Sequence, residues 1–252
     1  MRSRYPSSST LAYSFGPGPV TPVVKGLLIA NIAMYVLSRV APEIVLPLGL
    51  VPQQVIEHLR VWQVFTYMFL HAGTFHILFN MLALWMFGVE LERTWGSRYF
   101  GKFYAVCGIA AGVTQIVVSF VPLPVFEQIY YVQTVGASGA IFGLLLAYAL
   151  YFPSRSILMF FVFPVPVRYA VAIMGGMALL ASIDGSGSGV ANTAHLGGLV
   201  AGYFYLKGGR GRIHLLSEIK YRYLKWRVNR MRRKFDVYSG GRSADDVNRR
   251  VH

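Results

Sequence analysis

Apolar residues gather into about six long stretches, near 23–41, 71–90, 99–122, 137–152, 168–183 and 190–207, with polar or proline-bearing connections between them. A helix rises 1.5 Å per residue, so roughly 20 mainly apolar residues cross the ~30 Å hydrocarbon core of a bilayer. The pattern predicts an all-α membrane protein, a bundle of six transmembrane helices. These spans take up most of the chain and predict one integral domain over residues 23–207. A Ser-, Pro- and Gly-rich lead-in at 1–22 reads as disordered, and a basic tail follows at 208–252. A cleaved signal peptide would begin its apolar region closer to Met1, so the first stretch reads as a retained helix.

Three segments break the simple pattern. Residues 42–70 carry Pro42, Glu43, Pro47, Pro52, Glu57, His58 and Arg60 among many aliphatic side chains and Trp62. That mixture predicts an external segment lying in the membrane interface, where tryptophan is favoured. Between the fourth and fifth stretches, the apolar run Ile157 to Phe163 is too short to cross and is followed by Pro164 and Pro166, which predicts a cytoplasmic loop held against the membrane. The mixed basic and apolar stretch 213–235 fits either a surface helix or a solvated tail.

Composition agrees with a membrane protein: 55% of the 252 residues are hydrophobic and 13% charged. The net charge of +14 resembles a nucleic-acid footprint until its distribution is considered. Fourteen of the 24 basic residues lie from Lys207 onward, and with a cytoplasmic N-terminus only Arg39 and Arg60 fall outside. This is the positive-inside asymmetry, with both termini cytoplasmic and an even number of spans. It argues for contact with anionic membrane lipids rather than nucleic acid. The single cysteine, Cys107, lies in the third stretch and reads as a small core residue.

Polar side chains inside a span are costly, and those that persist usually line a cavity or perform a task. His76 and Asn80 are four apart in the second stretch and share a helical face, as do Asn192 and His195 in the sixth. Ser138 opens the fourth. A serine hydroxyl becomes a useful nucleophile when a histidine removes its proton. Ser138 and His195 supply that pair, while Asn80, His76 and the Ser138 backbone N–H are candidate donors to developing negative charge. Asn192 reads as orienting its helix. Gly139 and Gly143, and Ala194, Gly198 and Gly202, place small residues at intervals of four, so the fourth and sixth spans can approach closely. The fourth is short, which puts Ser138 below the external surface, beside a water-filled cavity.

The runs His76-Ile77-Leu78-Phe79-Asn80, Gly136-Ala137-Ser138-Gly139 through Gly143, and Ala194-His195-Leu196-Gly197-Gly198, in this order across six spans, resemble the rhomboid family of intramembrane serine proteases. Glu92-Arg93-Thr94-Trp95-Gly96-Ser97 is similar to the turn that follows the second span in that family. The resemblance implies a catalytic dyad of Ser138 and His195, an oxyanion site at Asn80 and His76, transmembrane protein substrates, and neither metal nor cofactor. Two positions depart from it. Trp62-Gln63 stands where members often carry Trp-Arg, and Phe142 where some have a tyrosine packed on the catalytic histidine.

Two other classes compete. A non-catalytic relative that binds membrane clients typically lacks the serine or the histidine, and both are present here. A small transporter would show an inverted repeat or a mid-membrane carboxylate, and neither is evident. The expectation is a serine endopeptidase cleaving in or near transmembrane segments, a multi-pass protein of a prokaryotic plasma membrane.

Overall fold

The computed structural model describes residues 17–159, 163–183, 192–208 and 225. The chain divides into two compact units, Met1–Tyr205 and Leu206–His252, and the first carries everything discussed below. The lead-in up to residue 16 and the 213–235 stretch, apart from Lys225, lie outside the described residues.

Each apolar stretch contains a helix: α1 Pro22–Val40, α2 Thr74–Trp95, α3 Ser97–Val118, α4 Ser138–Tyr151, α5 Val167–Ile183 and α6 over 192–208. The first three are long and apolar enough to cross a membrane. With 14 residues, α4 extends only about 21 Å. In α2 the helix widens to a π-turn over Leu84–Gly88, and its last turn ends at Gly96, from which α3 starts at once.

The α2–α3 corner is fastened by one carboxylate. Glu92, 2% exposed, accepts hydrogen bonds from Val23 N and Val24 N, both at 3.0 Å, and from the hydroxyls of Thr21 and Ser97. An anion at the first turn of α1 satisfies amides that have no partner within the helix and complements the helix dipole. Outward from there α1 is largely apolar and unburied, with Ile29, Val36 and Val40 exposed, as a lipid-facing helix requires.

The 42–70 segment folds as short helical turns, Pro42–Val45, Leu46–Leu48, Pro52–Glu57, Gln63–Thr66 and Tyr67–Phe69. Val45, Leu50 and Val55 point inward, whereas Ile44, Leu46, Leu59, Val61 and Trp62 remain exposed, the apolar rim that a segment lying in the interface needs. Gln63, 1% exposed, stitches the segment together. Its Nε2 donates to Pro47 O at 2.9 Å, and its Oε1 accepts from Val51 N at 3.1 Å. Leu50 and Thr134 then exchange backbone hydrogen bonds at 3.0 and 2.8 Å, tying the segment to the strand-like approach to α4.

Residues 153–168 are more regular than the expected loop. Ser156–Met159 (β1) pairs antiparallel with Phe163–Pro166 (β2), in the register Ser156↔Pro166 to Met159↔Phe163. Pro164 and Pro166 are tolerated because this is a two-stranded ladder with only edge strands.

The fit between α4 and its neighbours places the site. A Cβ at Gly143 would fall 2.6 Å from Cys107 Sγ of α3 and 3.2 Å from Gly198 O of α6, and one at Gly202 would fall 3.2 Å from Gly143 Cα. A Cβ at Gly198 would overlap the Gly139 carbonyl. Helix α4 is therefore wedged between α3 and α6, and its contact with α6 is backbone on backbone, as the small-residue spacing predicts. Cys107 is fully buried, a packing residue of this junction.

Candidate active site

Helix α4 starts at Ser138, so its first amides have no partner within the helix and the positive end of the helix dipole lies at the serine. One turn along α6 from its first residue, His195 faces it. The Nε2···Oγ separation is 2.7 Å, a full hydrogen bond. The imidazole is held from its other face by Phe142, whose ring stacks at 4.3 Å between centroids and 4° between planes. The aromatic platform expected at that position is thus present without a hydroxyl.

The approach to Ser138 depends on Gly136. Its φ is +130°, a conformation that side chains disfavour, and its N–H donates to Tyr67 O at 3.0 Å. A Cβ there would lie 2.8 Å from His76 Nε2 and 3.6 Å from Ser138 Oγ. The space a side chain would fill is the space between these two groups. Asn80 lies on α2 one helical turn beyond His76. It is 7% exposed, and among the described residues its Nδ2 has no hydrogen-bond partner. An unspent amide donor at this depth is uncommon in a native interior. It is the donor type that an oxyanion requires.

All four residues singled out from the sequence, His76, Asn80, Ser138 and His195, are therefore on the elements expected for them, and Ser138 and His195 are in direct contact. Asn192 falls at the start of α6.

Three features of the site were missed in the sequence. Gln115, fully buried in α3, donates to Thr134 Oγ1 at 2.9 Å and accepts from the Thr193 hydroxyl, linking the approach to α4 with the residue two before His195. The rule that drew attention to Asn80, a polar side chain inside a span, applies equally to Gln115. Tyr67 is pinned by a 2.7 Å bond to Gly108 O and holds Gly136 through its own carbonyl. His71, whose ring lies edge-on to His76 at 4.9 Å between centroids, is 5% exposed. Among the described residues, no group of three or more His, Cys, Asp or Glu side chains is placed to hold a metal ion.

The chain is 35% identical over 143 residues to the rhomboid protease GluP of Bacillus subtilis, covering 57% of this chain and 25% of that one. It is 35% identical over 147 residues to mitochondrial Rhomboid protein 1 of Saccharomyces cerevisiae (54% and 38%). With the rhomboid protease AarA of Providencia stuartii it shares 33% over 149 residues (56% and 53%). The matches thus span between a quarter and about half of these relatives' lengths. The Rhomboid domain model matches residues 58–210, well over half of the chain. This mostly helical integral membrane protein belongs to the rhomboid family.

Proposed function

We propose that the chain is an intramembrane serine endopeptidase that cleaves peptide bonds in or near transmembrane segments of other membrane proteins. The observation that carries this reading is the 2.7 Å contact between Ser138 Oγ and His195 Nε2. In the proposed reaction, Ser138 Oγ attacks the scissile carbonyl while its proton passes to His195 Nε2. The tetrahedral oxyanion is held by Asn80 Nδ2, His76 and the Ser138 amide. Collapse breaks the C–N bond, the leaving amine takes the proton from His195, and an acyl ester remains on Ser138. Water then attacks the ester as its proton passes to His195; collapse breaks the bond from the acyl carbon to Oγ, His195 returns the proton to Ser138 Oγ, and the acid product leaves. Phe142 keeps the imidazole in plane through both halves. No step calls on a metal or cofactor.

The charge distribution supports six spans over 23–207 with both termini, 1–22 and 208–252, cytoplasmic, and the basic tail against anionic lipid. That topology fits a prokaryotic plasma membrane. The test is a proteomic comparison of membrane-shed fragments from cells carrying the active chain or Ser138→Ala. Fragments ending within or beside a transmembrane segment should appear only with the active chain. Identical fragment sets would overturn the reading.

A further inference from the structure

His195 stands on the first turn of α6, where the amides have no partner within the helix and the turn is least held by its own hydrogen bonds. Two contacts on one face hold that turn against α3. A Cβ at Gly197 would fall 2.3 Å from Thr114 Oγ1, so the two helices lie close there. One turn earlier, the Thr193 hydroxyl donates to Gln115 Oε1. Thr193 and Gly197 are four apart and share this face, while His195 projects from another, toward Ser138.

Gln115 is itself firmly anchored. It is fully buried, its Nε2 donates to Thr134 Oγ1 at 2.9 Å, and the Thr134 backbone exchanges hydrogen bonds with Leu50 at 2.8 and 3.0 Å. Thr134 and Thr193 are buried as well, so water has little access to these bonds. In such surroundings a hydrogen bond is strong, and losing one partner is costly. The two ends of the carboxamide thereby have separate duties, the NH2 group toward the approach to α4 and the oxygen toward α6. Thr134 lies four residues before Ser138, and Thr193 two before His195. One side chain thus spans the segments that carry both members of the pair.

We propose that Thr193 is a positioning residue for His195: its hydroxyl, held by Gln115, fixes the rotation of the first turn of α6 that brings Nε2 within 2.7 Å of Ser138 Oγ. The role rests on the protease reading of Ser138 and His195 and adds a residue that acts through the histidine without touching substrate. The other restraints do not set this rotation. Phe142 holds the imidazole by its face but not the backbone that carries it. The glycine contacts of α6 with α4 bring the helices close, yet a smooth stripe without interlocking side chains lets one helix turn on the other. A directional bond from the first turn to a buried carboxamide removes that freedom.

The experiment measures kcat and KM for a fluorogenic transmembrane peptide, together with Tm, in the unmodified chain, Thr193→Val, Thr193→Ser and the double variant Gln115→Leu/Thr193→Val. Valine keeps the shape of threonine and loses the hydroxyl. In Thr193→Val kcat should fall by about tenfold or more, the effect of misplacing a reacting group by a fraction of an ångström to about 1 Å, with KM unchanged. Thr193→Ser restores the hydroxyl and should retain the unmodified kcat. The double variant makes both partners apolar, so Tm should recover toward that of the unmodified chain while kcat stays low, which separates positioning from stability and decides the matter even where Thr193→Val alone unfolds. Fluorophosphonate treatment of the unmodified chain distinguishes the two claims. No labelling would overturn the protease reading and this role with it. Labelling combined with an unchanged kcat in Thr193→Val, an equal loss in Thr193→Ser, or a kcat that returns with Tm in the double variant would overturn the positioning role alone.

Discussion

Replacing Gly198 by alanine adds one methyl group at the point where α4 and α6 touch backbone to backbone.

 The new Cβ would fall 2.7 Å from the Gly139 carbonyl carbon and overlap its oxygen, against at least 3.4 Å for an ordinary contact. The obstruction is main chain, which cannot rotate aside as a side chain would, so the two helices must separate by on the order of 1 Å. Gly139 is the neighbour of Ser138, and Gly198 lies on the same face of α6 as His195, one turn along. The same displacement therefore stretches the 2.7 Å Oγ···Nε2 contact beyond hydrogen-bond length. Overpacking of this kind costs about 1–3 kcal/mol of stability, whereas a displacement of about 1 Å in the reacting groups costs about 100-fold in rate. Gly198→Ala should thus fold, with a lowered Tm, and react with a fluorophosphonate about 100-fold more slowly than the unmodified chain. Gly176→Ala on α5, where a Cβ meets nothing within 4 Å, is the control and should leave the labelling rate unchanged. Labelling of Gly198→Ala at the unmodified rate would refute the claim that this crossing sets the dyad.

Two further outcomes follow from the site and its surroundings. Asn80→Ala should lower kcat by about 100-fold or more, the usual effect of deleting an oxyanion donor, with Tm nearly unchanged because Nδ2 has no partner to lose among the described residues; single-turnover peptide cleavage together with a thermal melt checks it. Gln63→Ala removes two hydrogen bonds inside the external segment and leaves Val51 N and Pro47 O without them. It should destabilise the protein by about 2–3 kcal/mol, read as a lower Tm and as faster protease nicking between residues 46 and 62.

The helices and the Ser138–His195 pair were legible because both leave marks in sequence. Long apolar runs predict spans, and hydroxyl, imidazole and carboxamide groups inside those runs are conspicuous by their cost, so His76, Asn80, Ser138 and His195 stood out. The close approach of α4 and α6 was legible for a related reason, since glycine and alanine four residues apart make a smooth stripe. What did not show was pairing between short irregular segments. Nothing periodic announces that Gln63 bridges Pro47 and Val51, that Leu50 meets Thr134, or that Ser156–Met159 pairs with Phe163–Pro166 around two prolines. The positive φ of Gly136 was hidden for another reason, because a glycine before a helix has many uses. Arg39 read only as an outward-facing charge in the topology count. Its place on a cavity wall beside His71 arises from the end of α1 meeting the turn before α2, a contact across more than thirty residues of chain.

The central claim is that Ser138 is a nucleophile activated by His195, and the most direct measurement is peptide mapping by mass spectrometry after fluorophosphonate treatment of the purified, folded protein. The account predicts a single phosphonyl adduct on Ser138, absent in Ser138→Ala and strongly reduced in His195→Ala. An adduct on another residue, or labelling that persists in Ser138→Ala, would contradict it.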